Sequence, residues 1–370
     1  MKVSVQGLRK TFRAQKEQDV HAVNNISLDV HDGEFLVVLG PSGSGKTTLL
    51  RCIAGLERPD AGEIRIGDRL VFSSAERVFV PPERRGISMV FQSYALWPHM
   101  TAFVNVAYSL RARHTPKNEI KERVQRALDL VGCGGLANRY PSQLSGGQQQ
   151  RIAVARAIVN GSQFILFDEP LSSVDARVRE ELRRELGTLQ ATLGFSAIYI
   201  THDLVEATVL GHRVAVIDNG EIAQIATPRD LYERPQSVPV AEFMGATNRQ
   251  TGVVEEIGSR SAVVRSKLGS MTVSLVAEED LVIGQTVNLI CRPEYLRLSR
   301  DQPSDGTNAW RCTVDAEDFV GICTEYRVHV GDSVLLVRST TSLYLKEGET
   351  AWVAMDPKSI CLLAQKEAAN

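Results

Sequence analysis

The segment "EFLVVLGPSGSGKTTLLRCIAGL", residues 34–56, constrains the fold more than any other stretch of the chain. Its almost wholly apolar opening reads as a buried strand, and "LLRCIAGL" carries a helical pattern. Between them, Gly40, Pro41, Ser42, Gly43, Ser44, Gly45, Lys46, Thr47 and Thr48 form a loop whose backbone can bend tightly. In the order strand, glycine-rich loop, helix, such a loop turns its N–H groups toward phosphate oxygens, and the helix N-terminus adds a favourable dipole. Lys46 then holds the β- and γ-phosphates of a nucleotide, and the Thr47 hydroxyl ligates Mg²⁺.

The rest of the first two-thirds repeats the strand and helix alternation. "FILFDEP", "SAIYITH" and "RVAVID" read as further buried strands, and Val178, Leu182, Leu186, Leu189 and Leu193 recur at helical spacing. This is an α/β plan with a mainly parallel sheet. "FILFDEP" sets Asp168 and Glu169 side by side at a strand end, where two acids repel unless a cation or proton is shared. With a phosphate loop upstream, Mg²⁺ meets that need: Asp168 binds it, directly or through water, and Glu169 is the general base for an attacking water. Gln92 in "VFQSYALWPHM" and His202 in "YITHD" also follow apolar strands. On a doubly wound sheet both face the γ-phosphate and offer neutral contacts to metal, water or phosphate. Phe12, in "LRKTFRAQ", either stacks on an adenine ring or packs in a core.

"LSGGQQQR", residues 144–151, carries no carboxylate, imidazole or thiol. Ser145, Gly146, Gly147 and Gln148 open the helical run "QQQRIAVARAIV", so a hydroxyl and unobstructed N–H groups are offered to an anion. One phosphate loop already serves one nucleotide. A second anion-binding helix end calls for another ligand or another subunit.

After about residue 241 the texture changes to short β-rich runs separated by Gly, Asp and Ser, which predicts a small all-β domain over 242–370. "VNLICRPEYLRL" aligns with "WVAMDPKSICLL", matching Pro293 to Pro357, and so predicts two similar β subunits. The six cysteines stand far apart, without metal or redox spacing, and read as reduced structural thiols. With 42 basic and 44 acidic residues there is no global field to recruit nucleic acid. No apolar run reaches the roughly 18 residues that cross a bilayer, and "MKVSVQGLRKTF" lacks a secretion signal's apolar core, so a cytosolic protein is expected.

In order and spacing, "GPSGSGKTT", "FQ", "LSGGQQQR", "FILFDEP", "LSSVDA" and "ITHD" resemble the ATPase subunits of ATP-binding-cassette (ABC) transporters over residues 1–241. The resemblance implies a P-loop NTPase domain with a helical subdomain at about 93–159 that docks on membrane partners. It also implies a head-to-tail homodimer around two MgATP, in which Ser145 to Gly147 of one subunit close on the γ-phosphate held by the other. Asp175, in "LSSVDA", communicates between the paired sites. Ser173 and Val174 depart mildly from the family's usual residues there. The tail, through "CRPEYLRL", resembles the oligosaccharide-binding-fold-like (OB-like) regulatory domain of bacterial importer ATPases.

That likeness implies separate permease subunits, a solute-binding protein acting indirectly, and a peripheral position on the cytoplasmic side of the inner membrane. "VPPERRGISMVFQSYALWPHMTAFVNVAYSL" and "FMGATN" look closest to ferric iron importers, with polyamine, phosphonate and sugar importers as alternatives. Trp97, Pro98 and His99 lie at the permease contact or on a plain surface loop. Two other classes compete. A soluble cassette ATPase acting on nucleic acid or ribosomes usually has two cassettes or a coiled-coil insertion, and neither is present. A small-molecule kinase would leave the Ser145 loop without a task.

Overall fold

The computed structural model describes residues 1–13, 19–275, 281–304, 306–341 and 343–365. The chain divides into two compact units, Met1–Arg229 and Asp230–Asn370.

The first unit contains two sheets. Strands β1 (Val3–Phe12), β2 (Val20–Val30), β4 (Ala61–Ile66), β5 (Arg69–Ser73) and β6 (Val78–Phe79) form an antiparallel sheet in the order β2-β1-β4-β5-β6. The sequence reading anticipated only the parallel sheet. These segments alternate buried and exposed residues, as in Val3, Val5 and Leu8 of β1, because only one face meets a core.

The second sheet runs β11-β10-β3-β9-β8-β7, with β11 (Glu221–Ala226), β10 (Arg213–Asp218), β3 (Phe35–Leu39), β9 (Ser196–Thr201), β8 (Phe164–Asp168) and β7 (Ser88–Val90). From β10 to β7 every pairing is parallel, and only β11 runs antiparallel. Strands β3, β8 and β9 are buried throughout, which is why they read as unbroken apolar runs. One face of this sheet, through Leu36, Val38, Leu166 and Ile198, packs with helix α1 (Lys46–Ala54) and the antiparallel sheet in one core. On the other face Phe35, Phe167, Phe195 and Tyr199 form an aromatic cluster.

Helices α2 (Ala102–Ala112), α3 (Lys117–Leu130) and α4 (Gly146–Ile158) pack on one another within the segment where a helical subdomain was expected. Helix α5 (Ala176–Leu193) follows β8, and α6 (Leu204–Leu210) follows β9. No helix among the described residues is long and apolar enough to cross a membrane.

The second unit begins at Asp230, twelve residues before the boundary expected at 242. Arg292, 3% exposed, ties the residues between to this unit: its guanidinium donates to the carbonyls of Tyr232, Ala241, Gly245 and Ala246 and stacks on the Tyr232 ring. Ala241 also packs against Ile290 and Leu363. The short helices that looked like the end of the first domain are therefore fastened to the β unit.

Among the described residues of that unit, two five-stranded sheets share a core. The aligned sequence repeats adopt the same strand, 3₁₀ turn, strand pattern, at Thr286–Cys291 to Leu296–Ser299 and at Thr350–Met355 to Ile360–Ala364. Each repeat splits its two strands between the sheets: Thr286–Cys291 pairs with Ile360–Ala364, and Leu296–Ser299 with Thr350–Met355. The repeats are interlocked, not separate subunits. The six cysteines form no disulfide with one another, and burial pushes the Cys52 thiol up to about 12.

Replacing the Arg292 guanidinium strands several buried carbonyls at once. Arg292→Met is expected to destabilise the Asp230–Asn370 unit by about 2–4 kcal/mol and to speed amide exchange across residues 237–246. Exchange at the wild-type rate there would contradict this anchoring role.

Candidate active site

The parallel sheet determines where the chemistry sits. In register, Leu39 lies beside Thr201, Ile200 beside Asp168, and Phe167 beside Val90. The loops leaving β3, β9, β8 and β7 therefore emerge at one edge, the carboxyl ends of parallel strands where open α/β sheets bind ligands.

The phosphate loop leaves β3. Gly45 precedes α1 with φ of 96°, and a Cβ there would lie 1.8 Å from the Ala22 carbonyl oxygen. At Gly40 a Cβ would lie 2.2 Å from the Ile217 carbonyl oxygen. Only glycine allows this approach. No side chain caps α1, so its first N–H groups are left for a ligand. Ser44 is 5% exposed and its Oγ has no hydrogen-bond partner, a buried group that a bound acceptor would satisfy.

Lys46 Nζ donates to the Gly40 and Pro41 carbonyls at 2.9 and 2.7 Å, which leaves its third N–H for an anion. Burial lowers its pKa from the ordinary lysine value, and the nearby Glu169 and Asp168 carboxylates draw it back up. Thr48 continues α1.

Thr47 donates from Oγ1 to Asp168 Oδ1 at 3.1 Å. Asp168 is 6% exposed. Burial raises its pKa above the ordinary carboxylate value; Thr47, Arg51 and Lys46 oppose the rise, and Glu169 adds to it. A hard divalent cation fits this pair, since both donors are oxygens and the carboxylate charge is poorly solvated. Glu169 adopts φ of 44°, unusual for a residue with a Cβ, while its N–H donates to the Ile200 carbonyl. His202 Nδ1 lies 3.2 Å from Glu169 Oε2. A neutral imidazole that donates from Nδ1 to this carboxylate has Nε2 as an acceptor.

Five sequence-predicted residues, Lys46, Thr47, Asp168, Glu169 and His202, thus form one cluster. Phe12 ends β1 with its side chain 43% exposed, and Lys10 Nζ stands 5.2 Å from the ring centroid. Phe12 is not among the buried residues of the core. Gln92 is exposed just past β7, and no hydrogen bond among the described residues ties its side chain to the cluster.

Ser145 caps α4 with a reciprocal pair: its Oγ accepts from the Gln148 N–H, and Gln148 Oε1 accepts from the Ser145 N–H. Ser145 and Gly146 are exposed and Gly147 is buried. No hydrogen bond among the described residues joins this loop to the phosphate loop. Asp175 caps α5 through the Val178 N–H.

Sequence reasoning missed several supports. Arg156 on α4 donates to the Tyr94 and Ala95 carbonyls at 2.6 Å each, so the segment after Gln92 is tied to the helix that starts at Ser145. The same guanidinium lies over the Trp97 ring, and Asn105 bonds Trp97 through both its N–H and its carbonyl. Arg179 bridges the Val174 carbonyl and Asp203. Buried Glu206 accepts from Tyr199 and Thr201, clamping the strand end that carries His202. Arg156, Arg179 and Glu206 follow their loops at no diagnostic spacing, so only the "THD" context hinted at one of them.

Phosphate loop, acid pair and histidine at adjacent strand ends, beside a three-helix insert opening on an exposed capped helix start, are the architecture of an ATP-binding cassette. Residues 23–172 match the ABC transporter family and residues 289–363 the TOBE domain. The chain is 40% identical to the spermidine/putrescine import ATP-binding protein of Rubrobacter xylanophilus, covering 98% of this chain and 94% of that one. It is 41% identical to the trehalose/maltose import ATP-binding protein of Thermococcus litoralis, over 92% and 93%. Among solved structures it resembles the dimeric bacterial ABC transporter cassette MJ0796, with TM-score 0.54 and 31% identity over 61% of this chain and 99% of that one. A post-hydrolysis dimer of the same cassette bound to ADP and Pi is similar to the same degree, TM-score 0.54 and 32% identity over 61% and 99%. The chain belongs to the ATP-binding subunits of ABC importers and is an ATPase coupled to transport.

A buried carboxylate with a raised pKa contributes stability at low pH that is lost as pH rises through that value. Asp168→Asn is therefore expected to raise the Tm of the nucleotide-free protein by about 2–4 °C at pH 8, with a smaller gain at pH 4.5, while ending hydrolysis. A lowered Tm, or a gain that grows toward acid pH, would contradict it.

Proposed function

We propose that this chain is the motor of a polyamine importer, working as a homodimer in which each copy completes the other's MgATP site. The observation that carries the reading is the Ser145 helix start: exposed, capped, and not hydrogen-bonded to the chain's own phosphate loop. A dipole and free N–H groups directed at no ligand within the subunit are accounted for by a neighbour's γ-phosphate. Asp175 and the Arg179 bridge then link the paired sites, because Arg179 ties the Asp175 turn to Asp203 beside His202.

In each site Phe12 stacks on the adenine ring, and the 40–48 loop with Lys46 holds the phosphates. Mg²⁺ bound at Thr47 and Asp168, with Gln92 nearby, would supply charge neutralisation at the β- and γ-phosphate oxygens. Glu169 takes the proton of the attacking water, held in place by its unusual backbone conformation and by His202. Nε2 of His202, the nitrogen not turned to Glu169, would contact the γ-phosphate. Hydrolysis removes the ligand that joins the copies, and the helical insert, fastened to the Gln92 segment by Arg156, passes that change to separate permease subunits at the inner membrane face. A solute-binding protein outside the membrane would deliver the cargo.

The cargo ranking changes from the one read in the sequence. Ferric iron led there, but the two relatives above are named for spermidine/putrescine and for trehalose/maltose import, which supports polyamine first and sugar second. With permease and binding protein reconstituted, spermidine-loaded binding protein is expected to stimulate ATP turnover. Stimulation by maltose or iron in its place would move the cargo accordingly.

Glu169→Gln is expected to slow hydrolysis at least about a hundredfold and to leave an ATP-bound dimer visible by light scattering. A monomer at saturating ATP and Mg²⁺ would contradict the shared site. Lys46→Ala is expected to abolish turnover through lost phosphate contacts, and retained turnover would remove Lys46 from the site.

A further inference from the structure

Between α3, α4 and α5 lies a hollow of about 480 Å³ that none of the roles above uses. Its size is within the range of small-molecule sites. Val154, Leu182, Leu186 and Leu189 give it largely apolar walls. Asp129, Arg151, Arg184, Glu185, Thr188 and Thr192 also line it, and Gln150 is the buried amide among them. Gln150 lines the hollow, is 2% exposed, and its Oε1 is shielded from solvent with no hydrogen-bond partner. No hydrogen bond of its side chain occurs among the described residues, and a buried amide left unsatisfied is rare in native proteins.

The charges that line it are already engaged: Arg151 meets both Glu181 and Glu185, at 2.9 and 2.7 Å, Arg184 meets Glu180, and Asp129 accepts from the Gln125 amide. A charged ligand would have to break that arrangement, whereas a neutral one would not. We propose that this hollow binds a neutral small molecule that joins an apolar ring or branched chain to a carboxamide or lactam head paired with Gln150. Such a head donates one hydrogen bond and accepts another, and so satisfies the Gln150 carboxamide whichever way it is turned.

The position gives binding a consequence. Gln150 and Val154 belong to α4, which starts at Ser145; Leu182, Leu186 and Leu189 belong to α5, which starts at Asp175. An occupant wedged between these helices fixes the two loops relative to each other and slows ATP turnover. Binding stands apart from the function proposed above; its effect on turnover rests on that reading.

Saturation-transfer NMR on the full chain tests it with benzamide as probe and N,N-dimethylbenzamide, which has no N–H, as control. Benzamide is expected to bind, the dimethyl compound to bind far more weakly, and Gln150→Leu to weaken benzamide about tenfold. Leu186→Phe, which narrows the hollow without touching Gln150, gives the same test should Gln150→Leu fold poorly. Benzamide should also slow ATP turnover of the wild type and not of Gln150→Leu. Absence of benzamide binding, equal binding in both variants, or a soaked crystal holding only water in the hollow would overturn the site. Binding with unchanged turnover would overturn the coupling while the ATPase reading stands.

Discussion

The phosphate loop is wedged between two backbones. Gly45 lies against the Ala22 carbonyl from the antiparallel sheet, and Gly40 lies against the Ile217 carbonyl from the parallel sheet. Neither approach leaves room for a Cβ, so the loop can take only one path, and α1 is directed into the core shared by both sheets. From that fixed start the parallel register does the rest. It brings the ends of β8 and β9 beside β3, and with them Asp168, Glu169 and His202.

Fixing the loop buries charge. Lys46 and Asp168 are both nearly inaccessible, and burial disfavours the charged form of each, lowering the one pKa and raising the other. Their mutual attraction offsets only part of that cost. Phosphate beside Lys46 and a divalent cation beside Asp168 would each favour the charged form that burial disfavours. Binding free energy is drawn from the same residues that position the reacting atoms, and the backbone conformation of Glu169 is a further piece of stored strain.

Much of this was legible in the sequence because it is local. The loop from Gly40 to Thr48 needs its glycines, the Asp168 and Glu169 pair sits at the end of an apolar strand, and Ser145 is three residues from Gln148, the spacing of a reciprocal cap. What stayed hidden is carried by long-range partners. Arg156 finds the Tyr94 and Ala95 carbonyls some sixty positions back, and Arg292 finds carbonyls within residues 232–246. The internal repeat was visible as Pro293 matching Pro357, but strand exchange between sheets leaves no trace in periodicity. Phe12 was ambiguous in the sequence, since an aromatic at a strand end suits a core and a ligand equally well.

In the proposed homodimer a site in one copy is completed by the Ser145 loop of another. Mixing two inactive variants tests it most directly: Lys46→Ala, which spoils the phosphate loop, and Ser145→Arg, which blocks the opposing helix end. In a head-to-tail pair of the two, one site combines the intact phosphate loop of the Ser145→Arg copy with the intact Ser145 loop of the Lys46→Ala copy. ATP turnover that returns on mixing, with each variant inactive alone, is the predicted result. No recovery in a mixture shown to exchange subunits would mean that each chain builds its site alone.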